Sequence, residues 1–129
     1  TVRLVCNHLV LENTDQPHLY VRYSDKRHMH KERKVDLASG WVQDYTKYTA
    51  HYDVSERVFP WSVRLLEYRL EDISNSAGLS KHISFEMLRW TCALRDFRDG
   101  MDPEKLRRKL GLSKVQWGEV RRKIRRLLA

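Results

Sequence analysis

The chain has 129 residues, with 25 lysines and arginines against 17 aspartates and glutamates for a net charge of +8 and a hydrophobic fraction of 41%. That length suits one domain with a buried core, and the apolar content fits an ordered globular fold. No apolar run approaches the roughly 20 residues of a membrane span and no signal-peptide pattern opens the chain, so the expected setting is soluble and cytoplasmic, nucleoid-associated if the source is prokaryotic, with no membrane partner.

Cys6 and Cys92 stand alone without a CxxC neighbour. They are expected to be packed thiols, not a disulfide or a zinc site. The first residue is Thr1, not Met, and the chain is expected to be a single domain, 1–129, from a longer protein.

From Thr1 to Leu11 apolar residues are frequent, but their spacing does not settle helix against strand; helix is the preferred reading. Asn13 to Pro17 has turn chemistry. His18 to Tyr23 alternates and is rich in β-formers, which predicts a strand. Ser24 to Lys31 is the polar connection of a hairpin, with Lys26, Arg27 and Lys31 at its tip, and Glu32 to Leu37 returns as a second strand.

A helix is predicted from Ser39, with Trp41, Tyr45, Tyr48 and Tyr52 at helical spacing. Such a stripe reads as core or partial core rather than as a platform for stacked bases. After Pro60 a second helix carries Val63, Leu66, Leu70 and Ile73 on one face and ends between Asn75 and Ser80. The next begins near Ser84, is expected to bury Met87, Leu88, Leu94 and Phe97, and stops at Gly100.

Asp102 then caps a short helix with Pro103 in its first turn, where no amide donor is needed. Gly111 ends that helix. Ser113 and Gln116 form a capping-box pattern for the last one, which places Trp117, Val120, Ile124 and Leu127 on one face and Lys114, Arg121, Arg122, Arg125 and Arg126 mainly on the other. From Asp102 to Ala129 ten basic residues face three acidic ones, a net of +7 that accounts for nearly all of the chain's +8. So concentrated a charge is the footprint of a nucleic-acid binder, because each neutralised phosphate releases counterions. The plainer reading is a solvated helix face.

The expected architecture is mixed α+β, mainly helical, with a small antiparallel sheet near the N-terminus. Its order and several strings resemble the catalytic domain of the tyrosine recombinases, the phage-integrase family. Lys31-Glu-Arg-Lys-Val-Asp-Leu37 after the hairpin is similar to that family's basic β-hairpin, which carries a catalytic lysine; Lys26 is the best match and Lys31 the second. Val58-Phe59-Pro60 resembles its Phe-Pro string. Ala77 to Ser84 followed by Leu88-Arg89-Trp90-Thr91 resembles the box in which His-x-x-Arg opens a helix, and Leu110-Gly111-Leu112-Ser113 resembles its Leu-Gly-His-Ser box.

The chain also departs from the family. Glu86 stands where the first box has His and Leu112 where the second has His or Trp; the register of the nucleophilic tyrosine falls on Arg121, and no tyrosine follows Tyr68. Arg3 matches the family's first arginine, with Cys6 in place of the acidic residue of its Arg-x-x-Glu string.

The resemblance implies DNA recombination and integration, with Arg89, Lys26 and Arg3 as catalytic positions and double-stranded DNA as partner, bound by a homo-oligomer and without cofactor or metal. In the family a tyrosine oxygen attacks the phosphodiester while arginines stabilise the phosphate charge and a lysine protonates the leaving oxygen. Without the tyrosine, Arg89 and Lys26 are expected to hold a phosphate without cutting it, and the domain is either degenerate or dependent on a residue from outside the chain. A structural reading of Arg89 pairs it with Glu86 or Asp96.

Two further classes compete. Lys105 to Leu128 has the rhythm of a helix-turn-helix that reads DNA without catalysis. An acidic protein partner for the basic helix is the other. His28-Met-His30 could set two imidazoles on one strand face, but no third ligand is near; His18, His51 and His82 lack hydrolase spacing; and no Gly-rich phosphate loop is present.

Overall fold

A computed structural model describes residues 4–129, so the expectation placed on Arg3 lies outside the described residues. The backbone divides into two compact units, residues 1–60 and 61–129.

The first unit is built on a three-stranded antiparallel sheet in the order β1 (Leu9–Val10), β2 (His18–Val21), β3 (Arg33–Asp36). Leu9 pairs with Leu19 and Val10 with His18; Leu19 also pairs with Val35 and Tyr20 with Lys34. The helix preferred for the first eleven residues is therefore corrected: a 3-10 turn, Cys6–His8, leads into β1. Leu9 and Val10 take extended backbone because β2 offers them a ladder, a long-range partner that local spacing does not reveal. The chain before that turn is held the same way, by Cys6 N–H donating to the Glu56 carbonyl at 2.9 Å and Val58 N–H to that of Leu4 at 3.2 Å.

The hairpin connection is more ordered than its polar composition suggests. Asp25 accepts from the Arg27 amide at 2.9 Å and so caps a six-residue 3-10 helix, Lys26–Lys31. His28 and His30 lie on that helix and not on a strand face. Helix α1 (Ser39–His51) follows, with Trp41 stacked on Tyr45 at 5.1 Å and Tyr48 donating to the Val58 carbonyl at 2.8 Å. The stripe is half-buried as expected, except that Tyr52 is exposed. Val58 and His18 are the buried side chains at the centre of this unit.

The second unit contains α2 (Val63–Ser76), α3 (Phe85–Arg98), α4 (Pro103–Leu110) and α5 (Lys114–Leu128). Its core is Ala93 of α3, Leu106 and Leu110 of α4, and Trp117 and Ile124 of α5, with Trp90, Leu94, Phe97 and Val120 packed around them. Two expectations are corrected here. Met87 and Leu88 are exposed: α3 turns Trp90, Ala93, Leu94 and Phe97 into the core, Leu88 lies off that arc, and Met87 lies on it but in the first turn, ahead of the packed stretch. Likewise Val63 and Ile73 at the ends of the α2 face, and Leu127 near the end of α5, are exposed.

Among the described residues no helix is long and apolar enough to cross a membrane, and no group of three His, Cys, Asp or Glu residues could hold a metal ion. Cys6 and Cys92 are free thiols, each half-buried.

Candidate nucleic-acid interface

Helix α4 begins as its sequence dictates. Asp102 accepts from the Lys105 amide at 2.9 Å, Pro103 occupies the first turn, and Gly111 ends the helix in the left-handed region at φ 68°. Arg107 then braces the turn to α5: its guanidinium donates to Glu104 at 2.9 Å and to the Leu112 carbonyl at 2.8 Å. That hydrogen bond with Arg107 holds the Glu104 carboxyl below its ordinary value. Lys109 reaches back to Asp96 on α3. Thus the two α4 cations that have carboxylate partners, Arg107 and Lys109, serve to fix the helices.

Helix α5 is different. Ser113 Oγ accepts from the Gln116 amide at 3.2 Å while Gln116 Oε1 accepts from the Ser113 amide at 3.0 Å, completing the expected capping box. Trp117 and Ile124 are driven into the core, which fixes the helix's rotation. Lys114, Arg122, Arg125 and Arg126 are consequently exposed and Arg121 half-buried, and none of the five forms an ion pair among the described residues. Arg121 Nε is buried without a hydrogen-bond partner among the described residues, and Arg122 Nε donates back to the Gly118 carbonyl at 3.3 Å. The chemistry on offer is a row of guanidinium and ammonium donors held by a rigid helix, suited to phosphate oxygens.

Arg89 sits in the middle of α3, exposed, with its guanidinium 5.4 Å from the Trp90 ring centroid and Nη2 donating to the Leu110 carbonyl at 2.6 Å. Neither carboxylate expected to pair with it does so. Glu86 accepts from Trp90 Nε1 at 3.3 Å, and Asp96 is engaged by Lys109. A pairing read from spacing fails because the last carbonyls of α4 have no partner inside their own helix and attract the cation instead.

In the first unit Lys26 is exposed at the start of the 3-10 helix and Lys31 is half-buried at its end, where the Lys31 carbonyl accepts from Arg33 Nη1 at 2.9 Å. Arg27, the tip's other cation, is held by Asp25 at 2.7 Å, which keeps that carboxyl below its ordinary value. An open cleft of about 900 Å³ at the hairpin connection is lined by His8, Arg22, Tyr23, Asp25 and His28 among others. Its residues carry no sequence signal, since His8 and the hairpin meet only when β1 pairs with β2.

No protein-family model matches the chain, and no curated protein sequence matches it. Among solved structures its fold is similar to that of XerA recombinase, with a TM-score of 0.74 at 21% identity, over 92% of this chain and 44% of that one. The chain thus spans less than half the length of that protein. The mainly helical, recombinase-like architecture expected from the resemblance is the fold that the chain adopts.

Proposed function

We propose that the chain is a recombinase-fold domain that binds duplex DNA and that, lacking a tyrosine nucleophile of its own, holds the phosphodiester without cleaving it. The observation that carries the reading is the cationic face of α5, five basic side chains without carboxylate partners among the described residues, on a helix whose opposite face is locked into the core. The α4 cations Arg107 and Lys109, which brace the fold, are paired with carboxylates, and these five are not. Arg89 presents a guanidinium on the adjoining α3, and Lys26 an exposed ammonium in the first unit. The recombinase likeness supports the same partner.

A helix-turn-helix reading keeps one specific support, the tight α4–Gly111–α5 turn with its basic second helix. Binding to a randomised duplex pool across a salt series separates the two. The recombinase-like reading expects a steep salt slope and loss of affinity on both Arg89→Ala and the pair Arg121→Ala/Arg125→Ala. Loss with the α5 pair alone favours the helix-turn-helix, and absence of binding at low salt refutes both, leaving an acidic protein as the partner of the basic face.

A further inference from the structure

Gly118 occupies the interior of α5, where a glycine weakens a helix by about 1 kcal/mol relative to alanine. Of the other four glycines, Gly78, Gly100 and Gly111 each take a positive φ, and Gly40 lies in the first turn of α1 rather than in a helix interior. Gly118 takes no positive φ, because its backbone is helical. Nor does packing require it, since a Cβ built there meets no atom within 4 Å beyond its own helix and neighbours. Neither conformation nor the chain's own packing accounts for the residue.

A remaining physical reason for a glycine is close approach by another molecule. Lys114, Gly118, Arg121 and Arg125 succeed one another at intervals of four, three and four residues, so they share one stripe along the helix. The glycine is a gap in a row of cations. A flat bare patch between positive side chains suits a chain that is both bulky and anionic.

We infer that Gly118 is the point of closest approach of a DNA sugar–phosphate backbone to α5, with Lys114 and Arg121 gripping phosphates on either side. The inference rests on the DNA-binding reading and refines it. The missing side chain lets the backbone lie against the helix, which brings the flanking donors within direct hydrogen-bond range of the phosphate oxygens. Arg122, bonded back onto the Gly118 carbonyl, borders the same patch.

The variant Gly118→Ala tests this because its two effects have opposite sign. In the free protein it raises the urea midpoint, since the new methyl group has room and favours the helix. On duplex DNA it weakens binding roughly tenfold, the loss of about one close phosphate contact, and lowers the slope of affinity against salt by about that one contact. Arg121→Ala is also expected to lower that slope. A Gly118→Ala protein that is more stable and binds duplex as tightly as the parent overturns the inference and leaves the DNA reading intact. A parent chain that does not bind duplex at low salt overturns the DNA reading itself.

Discussion

Arg89 Nη2 donates to the carbonyl of Leu110 at 2.6 Å, joining the middle of α3 to the last residue of α4. A helix C-terminus presents unsatisfied carbonyls and partial negative charge, so a guanidinium there satisfies an acceptor and the local field together. Arg89 therefore has work in the free protein, independent of any phosphate.

Arg89→Ala should accordingly lower stability by about 1 kcal/mol, the usual scale of a charge-assisted bond discounted for exposure. Urea unfolding without DNA checks it. An unchanged midpoint would show that the Leu110 contact carries no weight, and any loss of DNA affinity would then report on phosphate binding alone.

Leu106 is fully buried at the junction of α3, α4 and α5. Truncation to alanine removes apolar contacts and leaves a cavity, so Leu106→Ala should cost about 3 kcal/mol. Because α5 docks on the same cluster, the near-ultraviolet signal of Trp117 should weaken with it. A loss below about 1 kcal/mol would mean that this core repacks freely.

The capping box of α5 gives a third expectation. Ser113→Ala removes the side-chain acceptor for the Gln116 amide while leaving the backbone amide that donates to Gln116 Oε1, which should cost about 1 kcal/mol. Hydrogen exchange should accelerate at the first turn of α5 before it does near Ile124. Equal protection of that turn in parent and variant would contradict the capping role.

Alkaline pH tests the first unit. Burial of Tyr45, followed by its hydroxyl's 3.8 Å hydrogen bond to Cys6, pushes its pKa from 10.0 up to about 12. Tyr48 is raised too, chiefly by burial. A folded pKa above the unfolded one means that the folded chain retains the proton longer, so the contribution is complete below pH 10.0 and is lost as pH rises toward about 12. Tyr45→Phe should flatten the decline in urea midpoint over that window. A decline as steep as the parent's would remove Tyr45 from the account.

Much of the second unit was legible in the sequence because its signals are local. Asp102, Pro103, Gly111, Ser113 and Gln116 act within a turn of the helix ends that they define, and the apolar positions Leu106, Leu110, Trp117 and Ile124 became core as their spacing implied. The order of β2, β3 and the five α-helices followed from the same kind of signal, whereas the recombinase-like fold was what the resemblance of several strings implied.

What only the tertiary structure decided were partners distant in the chain. Leu9 and Val10 became a strand because His18 and Leu19 lay beside them, Leu88 stayed exposed because it lies off the arc of α3 that packs on the core, and Met87 because it lies in the first turn, before the packed residues begin at Trp90. Arg89 met a carbonyl of Leu110 instead of the carboxylates nearer to it in sequence, and Gly118 proved to face open space. Periodicity and capping specify which face of an element is apolar and where it ends, whereas what covers that face is set by long-range closure of the chain, which no local pattern encodes.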